Sequence, residues 1–167
     1  HRDGVLPLKD TFFAGHVASP DAHVDHERRQ IRLYYHGSDG KSEDNAPQST
    51  RVALSPDGLN FRAREETLGP AYFRVFEWCG DHYALSMPGV FLRSENGLGS
   101  FAEGPTLFTD NMRHAALKLD GDNLLVFFSN CGDCPERILL STIRLSPNWQ
   151  EWKATMPIVV LEPELDY

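Results

Sequence analysis

A chain of 167 residues with 41% hydrophobic, 24% charged and 11% aromatic residues has the composition of a globular protein long enough to bury one core. No apolar run approaches the ~20 residues that a membrane-spanning helix needs. The net charge of −8, unrelieved by any run of Lys or Arg, speaks against nucleic acid as a partner and leaves neutral sugars and cations as better fits. The first residue is His1, and no basic segment followed by an apolar stretch and small residues comes after it, so the expectation is a removed leader or a trimmed N-terminus.

Helical periodicity is scarce, whereas short β-branched and aromatic runs ending in Gly, Asp, Asn or Pro recur throughout. In chain order, strands are expected over 16–25, 31–36, 50–54, 72–78, 82–86, 90–93, 114–119, 124–129, 138–145 and 158–161. Asp39-Gly40, Asp57-Gly58, Asn96-Gly97 and Asp120-Gly121 lie between them and suit tight turns, because these residues tolerate positive φ.

The chain also repeats itself. An apolar-aromatic strand ending in a small or polar turn occurs as Leu33-Tyr-Tyr-His-Gly37, Tyr83-Ala-Leu-Ser86 and Val126-Phe-Phe-Ser129. A further strand follows each, then a turn with an aromatic close behind: Phe61 after Ser55-Pro-Asp-Gly58, Phe101 after Ser94-Glu-Asn-Gly97, and Trp149 and Trp152 after Leu145-Ser-Pro-Asn148. A unit of this kind, repeated at 20 to 50 residues, indicates a propeller blade. The expected fold is all-β, a partial β-propeller of about three four-stranded antiparallel blades over 14–67, 70–110 and 111–163, with a β-sandwich as the alternative.

The three cysteines, Cys79, Cys131 and Cys134, are too few and too odd in number for a disulfide framework, which leaves the compartment open. Cys131-Gly-Asp-Cys134 has the spacing of a metal or redox pair, but a structural zinc site wants four ligands, and no second such pair is present. A bland pair of loop thiols is the competing reading.

The segment Gly15-His-Val-Ala-Ser-Pro-Asp21, followed by Ile31-Arg-Leu-Tyr-Tyr-His-Gly37 and Ser55-Pro-Asp-Gly-Leu-Asn-Phe61, resembles the second blade of glycoside hydrolase family 43. Glu136-Arg-Ile-Leu-Leu-Ser-Thr-Ile-Arg-Leu-Ser-Pro-Asn-Trp149 resembles a later blade of the same relatives. The resemblance implies a five-bladed parent of which this chain covers about blades two to four, and a sugar substrate such as an arabinoside or xyloside of plant or algal polysaccharides. It also implies that the general base belongs to a first blade outside this chain. An arc of three blades would expose apolar sheet faces, which water penalises at about 25 cal/mol per Å². Self-association, or a complementary chain completing the ring, is the expected remedy.

Glycoside cleavage uses two carboxyl groups across the scissile bond. Asp21 is the first candidate, since Ser19-Pro20-Asp21 opens an inner strand and points a carboxylate toward the channel. Glu77, between Phe76 and Trp78, is the candidate acid, because aromatic neighbours would desolvate it. Arg74 sits at the matching place in the middle blade, suited to an anionic sugar group, to Asp21 or to an inter-blade ion pair. His114, at the start of the third inner strand, loosely resembles a channel histidine that holds a water or ion, the alternative being a structural histidine. Tyr72 and Trp78 either stack on sugar faces or fill the space between blades.

Asp21, His23 and Asp25 alternate, so an extended strand puts them on one face. Ca²⁺ or another divalent cation would suit the two carboxylates, and a softer metal would suit His23. The alternative is that Asp25 caps the turn at Asp25-His-Glu-Arg28 and His23 packs between blades. Three functions remain in competition: a glycoside hydrolase or a piece of one, a non-catalytic carbohydrate-binding or assembly module, and a metal or redox protein.

Overall fold

The computed structural model describes residues 4–38 and 48–164, and the Asp39-Gly40 turn lies outside the described residues. Its strands follow one another as β1 (Val17–Asp25), β2 (Gln30–Ser38), β3 (Gln48–Ser55), β4 (Arg62–Ala63), β5 (Gly69–Pro70), β6 (Arg74–Trp78), β7 (Asp81–Ser86), β8 (Val90–Ser94), β9 (Ala102–Thr106), β10 (Met112–Asp120), β11 (Asn123–Asn130), β12 (Ile138–Arg144) and β13 (Ile158–Leu161). Single 3-10 turns occur at Leu8–Asp10 and Trp149–Glu151.

The strands form three antiparallel sheets that each meander in chain order, β1-β2-β3-β4, β6-β7-β8-β9 and β10-β11-β12-β13, while β5 adds a two-residue pairing to β3. A four-stranded meander made from one stretch of chain is the build of a propeller blade, and the expected all-β class is the observed one. The aromatic and β-branched runs all became strands. The outer strands β4 and β9 and the two-residue β5 escaped the sequence pattern. β9 reads Ala-Glu-Gly-Pro-Thr, with two poor strand formers, and Pro105 is tolerated there because an outer strand need not donate on both sides.

Turn chemistry sets the hairpins. β6 and β7 close at Trp78↔Asp81 around Cys79 and Gly80, both at positive φ (51° and 86°). Two positive-φ residues match the right-handed twist of the flanking strands. At the β3–β4 turn, Asp57 accepts the backbone N–H groups of Leu59 and Asn60 at 2.9 and 2.8 Å, and the Ser55 hydroxyl lies 2.9 Å from its carboxylate.

Two compact units result, and each has its own core. One comprises the chain up to Phe73 together with Asn96–Phe101, and the other comprises Arg74–Glu95 and the chain from Ala102 onward. In the first unit β2 and β3 are covered on both faces. One face holds Tyr35 and Ala53 against Phe13, with the Tyr35 hydroxyl donating to the Thr11 carbonyl at 2.9 Å. The same unit buries Phe73, whose ring meets Phe101 edge-on at 5.1 Å.

In the second unit Phe76, Tyr83 and Phe91 of the middle sheet pack with Leu124, Val126, Leu139 and Ile143 of the last one. Trp152 joins the two layers, its ring 4.9 Å from Tyr83 and 5.7 Å from Phe91. Side chains of this size stabilise by about 1.5–3 kcal/mol each when fully buried. The last sheet turns its other face outward, where Ala116, Phe127, Leu140 and Ile158 stand in one row across the four strands. Ile158 is 63% exposed, and every residue of β13 is exposed.

Candidate functional site

The innermost strands are built alike. In β1 the register slips between Ala18 (opposite His36) and Asp21 (opposite Tyr34), and in β10 between Arg113 (opposite Ser129) and Ala116 (opposite Phe127). Two residues face one in both places, which is a β-bulge with one extra residue. The residue entering each bulge is not glycine yet has positive φ, 48° at Ser19 and 51° at His114. Tyr72, two residues before Arg74 as Ser19 is two before Asp21, has φ 65°. Such conformations cost roughly 1–3 kcal/mol each and gather where function demands them. The geometry therefore matches His114 with Ser19 and Tyr72, and Arg74 with Asp21.

Past the bulge, alternation places Asp21, His23 and Asp25 half-buried on one face of the first sheet. Asp21 Oδ2 and His23 Nε2 lie 2.9 Å apart, with side chains 19% and 33% exposed. The His23 ring meets Tyr34 edge-on at 5.8 Å, and the Tyr34 hydroxyl donates to the Gly97 carbonyl at 2.9 Å. Two residues along β2, the buried His36 lies against Tyr72, ring centroids 4.1 Å apart, with His16 edge-on at 6.1 Å. A carboxylate, three imidazoles and two phenols thus line one face, a set able to donate and accept protons and to bind hydroxyl groups.

Asp25 lies on the same face but serves the fold. Its Oδ1 caps the turn by accepting the Arg28 N–H at 2.9 Å, and its Oδ2 takes the Arg32 guanidinium at 2.6 Å. The capped N–H and the guanidinium hold its carboxyl well below the usual carboxylate range. With both oxygens so committed, the Asp21-His23-Asp25 set does not suit a hard cation. Among the described residues, no group of three or more His, Cys, Asp and Glu side chains is placed to hold a metal ion.

Glu77 departs from the desolvated acid expected of it. Its side chain is 67% exposed and lies 2.9 Å from His82 Nε2. Phe76 and Trp78 are its neighbours in sequence, but adjacent residues of a strand point to opposite faces, so they do not cover it. Trp78 packs between the sheets of its unit, 6.4 Å from Tyr83 and 6.2 Å from Trp152, and its indole N–H donates to Asp122 at 3.2 Å. Arg74 donates from Nε to the Ala115 carbonyl at 2.8 Å, linking β6 to β10 within the second unit.

His114 lines a cleft of about 720 Å³ over the open face of the last sheet, with Phe127, Glu136, Arg137, Leu161 and Glu162. The Ser129 hydroxyl at 2.8 Å and Arg113 at 3.0 Å hold Glu136 and keep its carboxyl below the ordinary value. Reading the sequence missed Glu136 and His36. His36 sits inside Leu-Tyr-Tyr-His-Gly, which reads as buried strand, and only its pairing opposite Ala18 beside the bulge reveals it.

No family model matches the chain. The uncharacterized protein R118 of Acanthamoeba polyphaga mimivirus is 32% identical over 194 residues, an alignment that takes in 100% of this chain and 54% of that protein. The chain thus spans about half the length of the curated relative it matches. Among solved structures, an endo-arabinase from Bacteroides thetaiotaomicron superposes with a TM-score of 0.62 at 16% identity, covering 95% of this chain and 59% of the other. A family 117 glycoside hydrolase of the marine bacterium Zobellia galactanivorans gives 0.62 at 11% identity, over 85% and 56%. An α-L-arabinofuranosidase from Lactobacillus brevis gives 0.56 at 14% identity, over 84% and 55%. At these identities the likeness establishes the fold: the chain is a partial β-propeller of four-stranded blades, and its structural neighbours are glycoside hydrolases.

Proposed function

We propose that this chain is the part of a family 43-like glycoside hydrolase propeller corresponding to about blades two to four, and that it acts on or binds arabinosides or xylosides of plant or algal polysaccharides. The observation that carries this reading is the Asp21–His23 pair, 2.9 Å apart just past the left-handed Ser19 of an innermost strand. The names of two solved neighbours, an endo-arabinase and an arabinofuranosidase, support the choice of sugar. Fold likeness alone does not transfer an activity, so the test is direct. Nitrophenyl arabinofuranosides and xylosides are offered to the protein and to Asp21→Asn, with calorimetric titration of the corresponding oligosaccharides. Turnover lost in the variant supports the hydrolase, and neither turnover nor binding overturns the proposal.

A second reading, a non-catalytic carbohydrate-binding or assembly module, draws on Glu77, which is exposed and paired with His82 rather than enclosed by aromatic side chains. Sugar binding without turnover selects it. In either case the outward row Ala116, Phe127, Leu140 and Ile158 suits a covering sheet, from a second copy or a complementary chain. Light scattering of the isolated chain should then give a mass above 18.8 kDa, and a clean monomer would exclude self-association.

A further inference from the structure

The connection from β11 to β12 carries Cys131, Gly132, Asp133 and Cys134, and both thiols are exposed. Gly132 holds φ 88° with open space at its Cβ position, so the chain reverses between the cysteines without a side chain in the way. The Cys131 amide donates to the Asn111 carbonyl at 2.7 Å, which ties the first cysteine to the start of β10. Arg113 lies near the Cys131 side chain, and its Nη2 holds Glu136 at 3.0 Å, so a cation sits near one of the two sulfurs. On the far side Arg137 faces Asp133 at 3.7 Å.

Three buried polar atoms flank this turn, Arg113 Nε, Asn130 Oδ1 and Arg137 Nε, and none has a protein hydrogen-bond partner among the described residues. A partly satisfied polar network surrenders little when it shifts, unlike a filled apolar core. The turn is therefore a place where two thiols three positions apart can approach without dismantling packing.

We propose that Cys131 and Cys134 are a modification site, a dithiol that closes reversibly to an intrachain disulfide by exchange with a low-molecular-weight disulfide such as oxidised glutathione. One protein thiolate attacks a sulfur of the glutathione disulfide and forms a mixed disulfide, releasing the first glutathione thiolate. The second protein thiolate then attacks the protein sulfur of that mixed disulfide, forming the Cys131–Cys134 bond and releasing the second glutathione. The two protons from the protein thiols end on the two glutathiones, so the protein is oxidised by two electrons and glutathione disulfide is reduced. The attacking species is the thiolate, and Arg113 supplies the cation beside it. The ring closed in this way ends two residues before Glu136, and Glu136 and Arg137 both line the cleft that holds His114.

The test uses the whole chain. After equilibration in mixtures of reduced and oxidised glutathione and quenching with an alkylating agent, peptide mass spectrometry reports the state of each cysteine. The expected result is a Cys131–Cys134 peptide that has lost two hydrogens and both alkylation sites, reversed by dithiothreitol. Cys79, also exposed, is the internal reference. It should resist oxidation at least about tenfold better than the pair, the ratio that some 30 mV in potential provides. Cys134→Ser should abolish the internal bond and leave a glutathionyl group on Cys131. The proposal is overturned if Cys131 and Cys134 alkylate to the same extent as Cys79 across the series, or if the wild-type chain accumulates mixed disulfides without the internal bond.

Discussion

Arg32 reaches Asp25 with two nitrogens, Nη2 at 2.6 Å and Nε at 3.2 Å, both on one carboxylate oxygen. The two side chains are 3% and 7% exposed, and the remaining Arg32 nitrogen Nη1 donates to the Asn96 carbonyl at 2.7 Å. Removing the carboxylate strands a buried guanidinium, which costs on the order of 3 kcal/mol. Asp25→Asn should therefore lower the urea midpoint sharply, and Asp25→Leu combined with Arg32→Met should recover much of the loss. A single variant of wild-type stability would show that the pair is not buried in solution.

The same carboxylate, with Asp57, sets an acid limit. Asp25 is held down first by the Arg28 backbone N–H and then by Arg32, and Asp57 first by the Asn60 side chain and then by the Asn60 and Leu59 backbone. Both folded values lie below the ordinary 3.8, so the folded state binds fewer protons than the unfolded chain. Their stabilisation is complete above that value and fades as pH falls below it. Unfolding monitored by circular dichroism should show stability level from neutral pH to about 5 and falling below about 4, with a shallower acid slope in Asp57→Asn.

At the alkaline end Tyr35 acts with the opposite sign. Burial pushes its phenol up from 10.0 to about 12, with Arg51 opposing, so the folded state keeps a proton that the unfolded chain releases. Stability is whole below pH 10 and is lost as pH rises toward about 12. The tyrosinate absorbance should show a component that appears late and together with unfolding. Tyr35→Phe should remove it, and its persistence in that variant would assign it to the likewise raised Tyr83.

Gly104 on β9 leaves room for the Trp149 ring, and a methyl group built there would overlap its six-membered edge. Trp149 is 8% exposed and has Tyr83 and Trp152 as ring neighbours, so it has little space to retreat. Gly104→Ala is expected to cost about 1–3 kcal/mol, read from the denaturant midpoint by tryptophan fluorescence. An unchanged midpoint would mean that the ring moves freely.

The sequence revealed what depends on local alternation and hid what depends on register. Leu33-Tyr-Tyr-His36 and Val126-Phe-Phe-Ser129 announce strands because apolar and aromatic runs have few other uses at that length. Asp21, His23 and Asp25 share a face, as alternate residues do in any strand. The alternation fails at a bulge, where one added residue shifts the parity of everything before it. Alternation alone aligns His114 with Asp21 and Arg74, whereas the bulge gives it the place of Ser19 and Tyr72. Glu77 reads as desolvated because Phe76 and Trp78 adjoin it in sequence, whereas its side chain is exposed. His36 stayed hidden because a buried imidazole in an aromatic strand looks like core until a second strand is laid against it.

The left-handed residues of the inner strands set stability against the side chains they present. A backbone that holds Ser19, Tyr72 and His114 at positive φ is one that glycine would adopt more readily, by on the order of 1 kcal/mol. Replacing His114 by glycine should thus yield a chain that melts higher while taking the imidazole out of the cleft it lines. Selection for robustness alone would have placed glycine at all three positions, and their side chains mark where the fold carries strain that glycine would have relieved.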